Sequence, residues 1–398
     1  MSDIVDRIEE CSDGSGEVSD QQRENKILSG VRDLLDAYLS IRDGDSCIVV
    51  YTPPCREYAA YLKIELDSRG ISNDAVAMRP YSDLGLREEL GRFLPDLARS
   101  PGKLCVITLE AEGITNSDVF EEIISEYGKS RVKLFRIISA SDELFYYGLK
   151  SSPQEISQRN ATLLELFRSE NEIRVRNTAG TDVLIEFDHD RYDWVSVRGA
   201  WRPGVFTVLP AGELATYAKS VNGRIVADGA MRVNVVHTLD PRLEVNPISI
   251  TVEDSLATHL ECADDDLLEL AQACFRRPHG NRVGELGFGT NAGCTTFAAH
   301  NSHLNERFPG LHIGFGSHNQ PFEIVDYLTD IHLDVVTNDA EVELPRAGRT
   351  IRLSELAPRP GIIHPFMTRD NDLVGDCCSR GCLPTLQNGL LFNGATPS

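Results

Sequence analysis

Basic residues are scarce in this chain: 39 Lys and Arg stand against 61 Asp and Glu, for a formal net charge of −22. Nucleic-acid binding and adhesion to an anionic membrane both depend on clustered Lys and Arg, so neither partner is expected. Long apolar runs are also missing, and no stretch of about 18 residues could serve as a membrane span. The opening MSDIVDRIEECSDGSGEVSD has no basic region followed by an apolar core. The expectation is a soluble, cytoplasmic protein. Two phosphate-binding patterns are absent as well: no GxGxxG follows the first predicted strand, and no GxxxxGKS occurs. Finally, no histidine precedes His189, and all ten lie between it and His364. Any imidazole chemistry belongs to the second half.

Without an export signal, the ten cysteines read mainly as free buried thiols, set singly in apolar stretches such as CIVVY and KLCVITL. Cys377, Cys378 and Cys382 in DCCSRGC leave a metal clip or redox cluster open, although three cysteines match no standard zinc spacing.

With 398 residues the chain has room for two domains. Residues 1–20, acidic and rich in Ser and Gly, read as a flexible tail. From Gln21 apolar residues recur at helical spacing, then SCIVVYT reads as a buried strand. Helices over REYAAYLKIELDSRG, YSDLGLREELGRFLPDLA and SDVFEEIISEYG alternate with the strands NDAVAM, KLCVITLE and RVKLFRIIS. Such alternation predicts an α/β N-terminal domain with a mostly parallel sheet, over 21–170 and including a linking helix at PQEISQRNATLLELFRS. Residues 171–398 read as a strand-rich α+β metal-site domain, largely antiparallel, with one helix near DDDLLELAQACFRR.

Three strands in this second part share a grammar. Side chains alternate along a strand, so in GELGFGTN Glu285, Gly287 and Gly289 share one face. In GLHIGFGSHN the corresponding set is His312, Gly314 and Gly316, and in IHLDVV it is His332 and Asp334. Glycine weakens a strand, and its repetition on one face signals close approach of a ligand or another backbone. VLPAGELA adds Glu213 just after a Pro-Ala-Gly turn. Three carboxylates and two imidazoles suit zinc, cobalt, manganese or iron better than calcium. His300 and His303 in AAHNSHLNE have helical ligand spacing but read as a polar loop. His189 and His364 read as structural or exposed, and Cys294 has no evident base partner.

An ordered series of motifs carries a family resemblance: GTD at 180–182, LPAGE at 209–213, NGRIVADG, GELGFGTN, NER at 305–307, GLHIGFG and IHLD. In these the chain resembles metalloaminopeptidases of the aminopeptidase T and aminopeptidase S type. The resemblance implies Glu213, Glu285, His312, His332 and Asp334 as ligands of two zinc, cobalt or manganese ions. It also implies Glu306 as general base, a peptide or small amide substrate cleaved at its amino end, and a homodimer. Asn305 stands where the family usually has Asp, and SHNQ replaces an expected tyrosine. The same fold family includes 2,5-dihydroxypyridine dioxygenase, which implies the alternative of one ferrous ion on His332, Asp334 and either His279 or His312. A third reading is a catalytically altered peptide-binding protein of a biosynthetic pathway.

Overall fold

The computed structural model describes residues 20–365 apart from 81, 97–101, 112, 114, 115 and 236. The acidic tail, apart from Asp20, and the DCCSRGC cluster lie outside the described residues. The first half opens with α1 (Asp20–Asp33) and continues through β1 (Ser46–Tyr51), α2 (Arg56–Ser68), β2 (Ser72–Ala77) and α3 (Leu86–Gly91). It then runs through β3 (Leu104–Glu110), α4 (Ser117–Tyr127), β4 (Val132–Ile138) and the linking helix α5 (Pro153–Arg168). The strands are apolar on both faces because helices cover both. Val49, Ile107 and Phe135 pack into one core, and their neighbours Ile48, Val106 and Leu134 into another. The α5 start is set by a capping box, in which Ser152 and Glu155 satisfy each other's backbone N–H groups, with Pro153 at the first helical position.

The second half holds β5 (Glu172–Arg176), β6 (Asp182–Glu186), β7 (Val195–Val197), β8 (Phe206–Leu209), β9 (Glu213–Thr216), β10 (Ser220–Ala227) and β11 (Ala230–Val233). After these come β12 (Ile248–Glu253), β13 (Leu256–Glu261), α6 (Asp265–Phe275), β14 (Val283–Gly289), α7 (Leu304–Arg307), β15 (Leu311–Gly316), β16 (His332–Val336), β17 (Glu341–Leu344) and β18 (Arg349–Arg352).

The parallel sheet has the order β2-β1-β3-β4-β8. Its last strand comes from GVFTVLP, beyond the boundary drawn at residue 170, and pairs with β4 from Leu134↔Phe206 to Ile137↔Leu209. A short apolar segment carries no mark of which sheet will take it; here the free edge of β4 does. The other two sheets are antiparallel, with orders β13-β12-β10-β6-β5-β17-β18 and β11-β16-β15-β14-β9-β7.

These two sheets pack face to face. Ile173, Val183, Ile185 and Ile250 of the seven-stranded sheet share a core with Leu286, Phe288, Ile313, Phe315, Leu333 and Val335 of the six-stranded one. Each such side chain contributes roughly 1.5–3 kcal/mol on burial. Past Val283, the core claims Leu286 and Phe288 of β14 and the odd-numbered residues of β15 and β16, so their alternate residues must point to the opposite face. Among the described residues no helix is long and apolar enough to cross a membrane.

Candidate functional site

The face opposite the core is where the five metal-capable side chains meet. The strand registers pair each of the five with a glycine: Glu213↔Gly289, Glu285↔Gly314, His312↔Gly287, Asp334↔Gly314 and His332↔Gly316. A Cβ added at Gly287 would overlap the His312 ring. One added at Gly314 would lie 2.8 Å from Asp334 Oδ1, 2.9 Å from Glu285 Cβ and 3.0 Å from His332 Cε1. Gly289 has a different reason, since a Cβ there would strike the backbone carbonyl of Phe308. The glycine face thus serves both side-chain room and close backbone approach.

A bulge decides which way Glu285 points. Val283 pairs with Phe315 and sits in the core, yet two residues later Glu285 pairs with Gly314 on the other face, because the register shifts between them. A bulge changes strand parity locally and re-aims the side chains that follow. Glu213 is positioned by different means. Gly212 has φ +113 and lies against Asn291, whose side-chain amide donates to the Ala211 carbonyl at 2.9 Å. A side chain at Gly212 would meet both a forbidden conformation and a steric block. From α5, Asn160 Nδ2 donates to the Glu213 carbonyl at 2.7 Å and to Ser196 Oγ at 2.8 Å, clamping the start of β9.

Ligand atoms of Glu213, Glu285 and His312 all lie within 4.8 Å of one another. Glu285 stands between two imidazoles: its Oε1 is 3.9 Å from His312 Nε2 and its Oε2 is 4.0 Å from His332 Nε2. His332 Nε2 is 3.2 Å from Asp334 Oδ1, while its Nδ1 donates to the Ser317 carbonyl at 3.1 Å. That bond assigns the proton to Nδ1 and leaves Nε2 for a metal. Neither oxygen of the fully buried Asp334 meets hydrogen-bond geometry with a described partner. A buried carboxylate in that condition, beside two imidazoles and a second carboxylate, fits a divalent ion.

Two arginines that the strand patterns did not single out complete the site. Arg307, fully buried, donates to Glu213 Oε2 and to the Pro210 carbonyl, and its Nη1 is 3.3 Å from Glu306 Oε2. Arg232, opposite Asp334 on β11, has Nε 3.4 Å from Glu306 Oε1 and Nη1 3.7 Å from Asp334 Oδ2. Arg232 Nη2 also donates to His303 Nε2, whose Nδ1 is 3.0 Å from Ser139 Oγ. His303 thus lies in the loop its local sequence suggested, yet as a buried neutral imidazole. Arginine offers only donors, so Nε2 must accept and Nδ1 must carry the proton.

Desolvation opposes charge on Glu213, Glu306 and Asp334, and particular partners decide the outcome. Burial pushes Glu213 up, but Arg307 and His312 outweigh it and hold the carboxyl down at about 2. For Asp334 burial is overcome chiefly by His332, leaving the carboxyl well below its usual range. Burial disfavours charged imidazoles, yet Glu213 and Glu285 raise His312 well above the ordinary value, and Asp334 raises His332 to about 10. Glu306 goes the other way: burial and the nearby Asp334 push it up to about 8 against Arg232 and Arg307. Ion binding would expel the imidazole protons, because only neutral imidazole ligates.

His279 lies apart. It is exposed, has φ +59 and lies tilted against Tyr327 at 4.9 Å between ring centroids. His189 holds the Glu170 carbonyl and Trp194 Nε1, a structural arrangement. Cys294 is buried among apolar groups with its thiol pushed up to about 12, which suits no nucleophile. Arg307 had a local signal, since it follows Glu306 in NER; Arg232 and Asn160 had none.

Comparison with known proteins adds three findings. The family NicX: 2,5-dihydroxypyridine 5,6-dioxygenase matches residues 116–308, a stretch that includes Glu213, Glu285 and Glu306. No curated protein matches in sequence. Among solved structures, 2,5-dihydroxypyridine dioxygenase from Pseudomonas putida KT2440 superposes with TM-score 0.52 at 15% identity, covering 83% of this chain and 95% of that one. Wild-type AmpT from Thermus thermophilus superposes with TM-score 0.52 at 13% identity, covering 82% of this chain and 97% of that one. At these identities the likeness shows a common fold, one shared with both proteins.

Proposed function

We propose that this chain is a metal-dependent hydrolase acting at the amino end of a peptide or related amide, with Glu306 as general base. The observation that carries the reading is the buried Glu306 carboxyl group, held between Arg232 and Arg307 beside a sheet face able to hold a divalent ion. A bound zinc, cobalt or manganese ion would supply polarisation of the scissile carbonyl and a water of lowered pKa. Glu306 takes a proton from the attacking water and returns it to the leaving amine, and an acidity near neutral pH suits both transfers. Arg232 and Arg307, at 3.4 and 3.3 Å from its two oxygens, keep the carboxyl group in place through both transfers. Glu285 and Asp334 add negative charge that favours a substrate ammonium group. Burial of the whole face keeps bulk water from screening these interactions. The homodimer implied by the resemblance belongs to this reading.

A second reading has its own support. The dioxygenase family match, together with the His332–Asp334 pair at 3.2 Å, favours a ring-cleaving enzyme with one ferrous ion. His312, buried on the same face, would then be a better third ligand than exposed His279. The test runs purified protein loaded with zinc, cobalt, manganese or, without oxygen, ferrous iron. A peptide library is read for new amino termini, and oxygen uptake is followed with hydroxylated pyridines. Amino-terminal cleavage abolished by Glu306→Gln supports the hydrolase. Oxygen uptake with iron alone, and no cleavage, refutes it.

A further inference from the structure

We propose that the α/β half carries a separate binding site for a small organic anion, a phosphate ester or carboxylate with an apolar body, in a basic cavity lined by Lys133, Lys103 and Arg42. This site is independent of the metal-dependent reading above. The cavity has a volume of about 370 Å³ and lies where β1, β3 and β4 begin, with Ala200 and Trp201 from the connection between β7 and β8 on its wall. Ligands of open α/β sheets ordinarily sit beyond the carboxyl ends of the strands, so the architecture itself calls for no cavity at these opposite ends. Its size falls within the range of small-molecule sites.

Charge in the cavity runs against the rest of the chain. Acidic residues outnumber basic ones 61 to 39 overall, yet here three cations face a single carboxylate, Asp45. Asp45 is committed to the backbone: Oδ1 accepts from the Lys103 N–H at 2.7 Å and Oδ2 from the Arg42 N–H at 3.1 Å. Those bonds tie down the two segments that carry Arg42 and Lys103. Lys133 is only 7% exposed, and its ammonium donates to the Leu39 carbonyl at 2.6 Å and the Ser40 carbonyl at 3.1 Å. An ammonium has three donors, so one remains. Among the described residues Lys133 pairs with no carboxylate, although a buried charge ordinarily has an opposite partner. The Lys103 ammonium donates to the Ser130 carbonyl at 2.6 Å and stands 4.5 Å from the centre of the Trp201 ring. Arg42 is exposed, and its guanidinium has no partner among the described residues. A phosphate or carboxylate oxygen would meet the remaining Lys133 donor and supply the missing negative charge. Ala37, Leu39, Pro153, Ala200 and Trp201 give the ligand's body an apolar wall, which a bare inorganic ion would leave unused.

The experiment is isothermal titration calorimetry of the full-length protein with phenyl phosphate, benzoate and uncharged benzyl alcohol, with tryptophan fluorescence read in parallel. The chain has two tryptophans, and Trp194 is buried in the core of the second half, so a change in emission reports on Trp201. One anion or both are expected to bind one to one, and benzyl alcohol is not. Tighter phenyl phosphate makes the ligand class a phosphate ester, and tighter benzoate a carboxylate. Lys133→Met, similar in length but uncharged, is expected to weaken binding about 10- to 100-fold, the effect of losing one charge-assisted hydrogen bond. Should that variant fail to fold by circular dichroism, the pair Arg42→Gln and Lys103→Gln, at exposed and half-buried positions, decides with an expected loss of about 10-fold. Asp334→Asn, on the metal-capable face, is expected to leave anion binding as it is. No response to either anion at millimolar concentration overturns the proposal, as does equal binding of benzyl alcohol. Binding that survives the cavity substitutions, or that is lost in Asp334→Asn alone, places the anion elsewhere and also overturns it.

Discussion

Gly314→Ala puts the logic of the glycine face to its most direct test. Gly314 pairs with Glu285 on one side and Asp334 on the other, and is not among the residues with positive φ. Alanine is therefore conformationally allowed, and relief of glycine's backbone entropy would alone stabilise the strand by roughly 0.5–1 kcal/mol. Against that, the new methyl group would stand 2.8 Å from Asp334 Oδ1, 2.9 Å from Glu285 Cβ and 3.0 Å from His332 Cε1. Three separate members of the cluster must move for one carbon atom. Overpacking of this kind costs about 1–3 kcal/mol, so a small net destabilisation is expected. The larger effect falls on the metal: displaced ligands should weaken cobalt affinity at least 10-fold, by analogy with lost ligand orientation. The assay pairs urea unfolding with cobalt titration of wild type and variant. Gly91→Ala is the control, since a Cβ there meets only Arg87 Nη1 at an ordinary 3.6 Å. Unchanged cobalt affinity in Gly314→Ala would refute the claim that this glycine clears room for a metal cluster.

Glu306 gives a signed pH prediction. Its folded pKa, about 8, lies above the ordinary carboxyl value, so its contribution to stability is complete below the unfolded pKa and declines as pH rises through 8. In chelator, Glu306→Gln should gain on wild type by a few kcal/mol between pH 5 and pH 8; parallel stability curves would contradict the assignment. Asn160→Ala removes donors to the Glu213 carbonyl and Ser196 Oγ and an acceptor for Thr290 Oγ1, all buried. A loss of roughly 2–4 kcal/mol in urea unfolding with an unchanged m-value is expected, and a loss below 0.5 kcal/mol would mean that α5 does not clamp β9.

Much of the architecture was legible because the periodicities are strong. Strands such as KLCVITLE and RVKLFRIIS have no polar face to expose, so helices had to cover both sides. The face shared by His332 and Asp334, and that shared by His312 and Gly314, follows from alternation alone. His303 lies in the loop that its polar neighbours predict, but its burial could not be read there, because Ser139 and Arg232, distant in sequence, enclose it. GVFTVLP likewise joined the first sheet through an edge that its own residues do not encode.

The sequence by itself determined the α/β to strand-rich order, the glycine-cleared strand faces and the residue types able to bind a metal, since each follows from spacing along the chain. Only the tertiary structure decided how those faces converge. Glu213 reaches Gly289 through strand pairing, a bulge after Val283 turns Glu285 to the site, and Arg307 and Arg232 enter from a short helix and an edge strand. Charges brought together from segments far apart in sequence set one another's acidity. Such an interaction depends on separation in space and on exclusion of water, neither of which spacing along a chain records.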